Sequence, residues 1–184
     1  MKKIAAILLL GTAIQVTCKS QEIPPAPADK SVVYFVRASG LGFAINFTYF
    51  DSTKLIGKSN GTNYIRYECE PGHHLFWARS ENRDFVEAEV EAGKIYFLEV
   101  VPQMGAIKAS VQLKPVDPSN EKTMKRILKI FNKKGPETFS PGELEKEAEN
   151  SKDVMERGLE KFREEKEKGK KTDRLEKEMY YKNQ

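Results

Sequence analysis

The chain has 184 residues, 31 of them Lys or Arg and 27 Asp or Glu, for a formal net charge of +4. At 32% charged and 39% hydrophobic it is too polar for a polytopic membrane protein, and its 18 aromatics exclude a wholly disordered chain. Two cysteines cannot staple a disulfide scaffold, and the length suits one domain with an extension.

Unlike segments follow one another along the chain. Residues 1–17 read as a secretory signal: Lys2 and Lys3 precede an apolar run from Ile4 to about Ile14, short of the roughly 20 residues a bilayer span needs. Cys18 stands where a bacterial lipoprotein signal places its acyl acceptor, so a lipid anchor on Cys18 in a bacterial membrane (periplasm or outer membrane) is expected. The alternative is ordinary signal-peptidase cleavage near Ser20, which discards Cys18 and gives a soluble exported protein. Residues 18–30 contain Pro24, Pro25 and Pro27, which favour polyproline II geometry over helix or strand. At about 3.1 Å per residue this tether would hold the next domain roughly 35 Å from its anchor.

Residues 31–117 hold 13 of the 18 aromatics and read as short strands. Ser31–Arg37 is a Val/Tyr/Phe run. Phe43–Phe50 alternates, with Phe43, Ile45, Phe47 and Tyr49 on one face. Asn60-Gly61 is a strong hairpin signal; Asn63–Glu70, a Pro71-Gly72 turn and His73–Ser80 follow. Phe85–Glu91 places Val86, Ala88 and Val90 on one side, and Lys94–Val101 and Ile107–Leu113 close the set. Seven or eight short strands with no helical pattern between them predict a mainly β fold, an antiparallel β-sandwich over 31–117 that folds alone.

Four stretches of this region, Val32–Arg37, Asn60–Ile65, Glu70–His74 and Glu91–Tyr96, resemble the bacterial domain-of-unknown-function family 2846. The resemblance implies a small β-sandwich domain of the bacterial envelope, often in lipoproteins, and implies no activity. Its residues are hairpin turns and core positions, so it speaks to fold more than to chemistry.

The remainder, 118–184, is a charged helical extension; from Asn120 onward it has 18 Lys+Arg and 15 Asp+Glu. Met124, Ile127, Leu128 and Phe131 form a helical stripe that Lys133-Lys134-Gly135-Pro136 ends. Ser140 and Glu143 form a capping box with Pro141 at the first helical position. The helix they start runs to about Lys168, with Leu144, Ala148, Met155, Leu159 and Phe162 in a narrow, coiled-coil-like seam. Leu175 and Met179 could support only a frayed helical continuation.

Catalytic chemistry finds little support. His73 and His74 are adjacent on a strand and point to opposite faces; with Cys69 they lack a fourth zinc ligand. A Cys69–His74 pair would need an orienting third group, and Cys69 reads as a core residue. No catalytic residue, metal or cofactor is expected, and the tail's interleaved acids cancel the lysine field that nucleic acid would require. The expected function is that of a non-enzymatic envelope module. Its helical tail would engage an envelope protein or peptidoglycan if the stripe of Leu144, Met155 and Phe162 stays exposed; otherwise that stripe packs on the sandwich or the first helix and leaves only the Glu/Lys face to solvent. The alternative is a ligand- or carbohydrate-binding β-sandwich with Trp77 exposed to stack on a sugar, against a buried Trp77 that would be a plain core aromatic.

Overall fold

The computed structural model describes residues 23–104 and 109–182; the expected signal peptide, Cys18 and the start of the tether lie outside the described residues. The elements run β1 (Ser31–Arg37), β2 (Phe47–Asp51), β3 (Lys54–Ser59), β4 (Asn63–Cys69), β5 (Gly72–Arg79), β6 (Arg83–Val90), β7 (Ile95–Met104), β8 (Ala109–Pro115), α1 (Glu121–Phe131), α2 (Pro141–Asn150), α3 (Lys152–Glu167) and β9 (Asp173–Leu175). The fold is mainly β, with two mixed sheets and three short helices.

One sheet has four strands in the order β4-β1-β7-β8, the other five in the order β3-β2-β5-β6-β9. Neighbours are antiparallel except at β1/β7 and β6/β9, which are parallel. This corrects the expectation of an antiparallel arrangement. Hairpin turns announce antiparallel neighbours in sequence, whereas a parallel pair joins strands far apart in the chain and leaves no turn signal. The strand expected from Phe43 begins only at Phe47, and Asp173–Leu175 is a strand rather than frayed helix.

The two sheets face each other across one core, to which β1 contributes Val33 and Phe35, β2 Phe47 and Tyr49, β5 Phe76 and β7 Tyr96 and Leu98. Their outer faces are apolar too. Ile23, Tyr34, Phe97, Ile127 and Phe131 form a second cluster outside the four-stranded sheet. Here the Phe131 ring stacks on Tyr64 at 4.0 Å. All seven residues of β1 are therefore buried; all seven pair with β4, Val32–Val36 pair with β7 as well, and both faces of the strand are covered. That double burial is why its sequence reads as an uninterrupted apolar run instead of alternating. Residues 23–30 take no helix or strand, and Ile23 is seated within this outer cluster.

Outside the five-stranded sheet, Phe50, Trp77 and Phe85 lie in one cross-strand row. Leu144 and Ala148 of α2 and Val154, Met155 and Phe162 of α3 cover it. The single helix expected from Pro141 onward is broken at Ser151, which ends α2 and begins α3. Asn150 and Ser151 are residues whose short polar side chains compete with helical backbone hydrogen bonds. The expected capping box is present: the Ser140 hydroxyl accepts from Glu143 N–H, and the Glu143 carboxylate accepts from Ser140 N–H. Beyond α3, Leu175 of β9 is buried in the inter-sheet core.

Open strand edges are closed by side chains and irregular chain. Asn82 exchanges two hydrogen bonds of 2.8 Å with the Val111 backbone, and Leu113 N–H donates to Asp84 Oδ2 at 2.7 Å, so β8 is capped from the opposite sheet. Beside β4, Glu137 N–H donates to the Tyr64 carbonyl at 2.8 Å.

Gly158 sets how closely α3 approaches: a Cβ there would stand 2.5 Å from Trp77 Cη2. Gly158→Val is expected to push α3 off the indole, lower stability by about 2–3 kcal/mol and red-shift the emission of the chain's single tryptophan. Thermal unfolding followed by that fluorescence checks it. A chain ending at Val116 uncovers Phe50, Trp77 and Phe85, so it is expected to bind a hydrophobic dye and to melt without a cooperative transition. That outcome would reverse the expectation that the strand region folds alone.

Candidate functional site

Strand register gathers three loops at one end of the sheets. Arg37, ending β1, pairs with Asn63, which opens β4; Phe47, opening β2, pairs with Ser59, and Thr48 pairs with Arg79, which ends β5. Residues 38–46, 60–62 and 80–82 therefore share this end. The first of these loops is organised from inside by Arg37, which has no exposed surface. Its Nη1 donates to the Ile45 carbonyl at 2.8 Å, and its Nη2 donates to the carbonyls of Leu41 at 3.0 Å and Gly42 at 2.6 Å. The guanidinium also lies 4.3 Å from the Phe47 ring centre. A planar fork of donors can hold three carbonyls at once, which an ammonium cannot match in geometry. Burial lowers the Arg37 pKa from its ordinary value.

The loop so pinned turns apolar side chains outward. Leu41 is 50% and Phe43 74% exposed, the two exposed large hydrophobics among the described residues. Single surface hydrophobics are ordinary, but two on one tip fixed by a buried arginine form a built feature. Phe43 was expected on one strand face with Ile45, Phe47 and Tyr49; instead its segment turns before β2 begins.

The opposite end carries the cluster nearest to catalytic chemistry. His74 Nδ1 lies 2.7 Å from Asp51 Oδ2, and its Nε2 lies 2.8 Å from the Glu70 carbonyl. Tyr67 donates its hydroxyl to the same Asp51 oxygen at 3.0 Å. The third group that a Cys69–His74 pair would need is thus present as Asp51, beside a cleft of about 400 Å³ that Cys69 also lines. The geometry nevertheless locks it. With an acceptor at each nitrogen, the His74 ring donates from both and is an imidazolium. The bond to Asp51 is foremost in raising its pKa from 6.5 to about 10, against the burial that lowers it. Burial, then the Asp51 charge, holds the Tyr67 hydroxyl well above its usual range. His74 has no lone pair to offer a proton or a metal. His73 points to solvent, and Cys69 is buried in the inter-sheet core.

The residues expected to contact a ligand or partner meet one another instead. Trp77 has no exposed surface, stacks on Phe50 at 4.0 Å and donates its indole N–H to the Ser52 carbonyl at 2.9 Å. Met155 is 8% exposed in the same cluster. Phe162 lies 5.3 Å from Phe85, and Leu144 is half-buried at the rim of a cleft of about 410 Å³ between β3 and α2. Of the two arrangements open to the stripe, the packed one holds: it is turned onto the sheet, whose outer row is apolar as well as its inner one. The pinned loop was missed: Arg37 read as the end of a strand, and nothing local announces a guanidinium that binds backbone. No family model, curated protein or solved structure matches the chain.

Since the folded pKa of His74 lies above its unfolded value, the stability it contributes is complete below about pH 6.5 and is lost as pH rises toward about 10. Urea unfolding midpoints should fall across that window in the parent. In Asp51→Asn they should stay flat, starting about 2 kcal/mol lower at pH 6. Parallel pH profiles for the two proteins would contradict the assignment.

Proposed function

We propose that the protein is a non-enzymatic module of the bacterial cell envelope, a β-sandwich anchored by lipid on Cys18 that presents its pinned loop to an envelope protein. The two sheets that share a core support the sandwich reading, and the likeness of residues 31–117 to family 2846 belongs to the same proposal. Among the described residues no helix is long and apolar enough to cross a membrane, so attachment in this reading rests on Cys18. Ile23 is already seated on the four-stranded sheet. Four residues separate Cys18 from Ile23, and a chain of five steps reaches no further than about 18 Å even fully extended, so an acyl group on Cys18 would keep the domain near the lipid surface.

The observation that carries the interaction role is the exposure of Leu41 and Phe43 on a loop whose backbone a buried arginine fixes. Two apolar tips favour a protein partner over the polar strands of peptidoglycan. The helical tail is the weaker docking surface, because its apolar residues are spent on Phe50, Trp77 and Phe85. A second reading, a small-ligand site, draws on the cleft between β3 and α2 lined by Leu55, Phe139 and Leu144.

Cross-linking in intact cells tests the loop. The Leu41→Ser, Phe43→Ser double variant should melt within about 2 °C of the parent and lose the partner that the parent captures. Retention of that partner with unchanged yield would overturn the reading. Cys18→Ala should move the protein from the membrane to the soluble fraction; unchanged fractionation would count against the anchor.

A further inference from the structure

Beside the covered row Phe50–Trp77–Phe85, one pairing step toward the loop end, lies a second row on the same outer face. Cross-strand register aligns Lys58, Thr48, Arg79 and Arg83. Side chains two residues apart on a strand share a face, so Arg79 follows Trp77, Arg83 precedes Phe85 and Thr48 precedes Phe50. On α3, Arg157 precedes Gly158, the residue in contact with Trp77, and its charge is felt at Arg83.

Elsewhere on this face the helices bring acids to the strand cations, or cations to the strand acids. Lys58 meets Glu147 of α2 at 2.9 Å, and Glu87 meets Lys166 of α3 at 3.0 Å. At Arg79 and Arg83 that matching fails. Among the described residues neither guanidinium forms an ion pair, and the buried Nε of Arg83 has no hydrogen-bond partner. The helix delivers a third arginine, whose carboxylate partner, Asp153 at 3.2 Å, is its own neighbour one helical turn away. Like charges directly opposite on paired strands destabilise a sheet. Burial, then repulsion from Arg79 and Arg157, lowers the pKa of Arg83. Lys58 and Glu87 each find an opposite charge on a helix, whereas Arg79 and Arg83 face each other across the strand pair with none, which leaves room for a charge from outside.

We propose that Thr48, Arg79 and Arg83, with Arg157 of α3 adding its charge, form a binding site for a phosphate-type oxyanion. Forked guanidinium donors match the oxygens of a tetrahedral phosphate group, and a hydroxyl in the same row supplies a further donor. The phosphate belongs either to a lipid headgroup or to a soluble phosphoester.

The test uses the full chain carrying Cys18→Ala, so that no acyl group confuses membrane binding, and Trp77, the single tryptophan, as reporter. Titration with pyrophosphate, against sodium chloride of equal ionic strength, should change Trp77 emission and raise the melting temperature. Arg83→Gln should weaken pyrophosphate binding about tenfold, the loss of a charge-assisted contact. Arg83→Glu should raise the melting temperature without anion and abolish binding, because it supplies the missing charge internally; it also shows that the row tolerates substitution. Vesicles of phosphatidylglycerol that bind and are competed by pyrophosphate, while phosphatidylcholine vesicles do not bind, would assign a headgroup. Binding of pyrophosphate without binding of either vesicle would assign a soluble phosphoester. A pyrophosphate response no larger than that to chloride, or equal affinity in parent and Arg83→Gln, would overturn the site.

Discussion

The apolar row Phe50–Trp77–Phe85 on the outside of the five-stranded sheet is the constraint from which much of the C-terminal architecture follows. Three aromatics in register cannot face water without a large hydrophobic penalty, since each buries on the order of 150–250 Å² when covered. The cover is a helix with few apolar residues of its own, and it succeeds because Gly158 lets its backbone reach the indole. A narrow stripe is enough when the sheet supplies most of the apolar surface. Once α3 is fixed there, Gly169, in left-handed geometry, ends it, and the chain is returned to lie beside β6 as β9. Tyr181 then bridges to Ile95 of the other sheet at 2.7 Å, which joins the two sheets through the tail.

The two ends of the sheets solve the burial of a cation in different ways. Arg37 has carbonyl partners and no carboxylate; its charge persists across the accessible pH range, so the loop it holds is insensitive to proton concentration. His74 has a carboxylate and a carbonyl, and its charge can be removed at alkaline pH. The apolar loop tip therefore sits on the end whose clamp does not titrate. The end that joins the segment before β1 is the one that loosens as pH rises. A module presenting Leu41 and Phe43 keeps that surface while the other end responds to its surroundings.

Much of the fold was legible because its signals are local. Ser31–Arg37 was bounded by composition, Asn60-Gly61 and Pro71-Gly72 by turn chemistry, and α2 by its capping box, and the strands and helix start lie there. The parallel pairs and β9 were not legible, and the helical stripe could be read as packed or exposed, because each depends on surfaces brought together from distant segments. Leu175 in a Lys/Glu-rich stretch carries no strand pattern; only its contact with the inter-sheet core makes it one. Of the site, the aromatic Trp77 was conspicuous and turned out to be packed away, while Arg37 was inconspicuous and organises the exposed loop. Residue type showed where chemistry could occur, but only register showed which side chains share a face.

Amide hydrogen exchange on the intact chain tests most directly whether the helical segment is part of the folded unit or an arm. If α3 is the cover of the five-stranded sheet, amides from Val154 to Phe162 should exchange only with global unfolding, with protection matching that of β5 and β6. Exchange of those amides many orders of magnitude sooner, while Trp77 and Phe85 amides stay protected, would show a helix that detaches freely and would contradict the account.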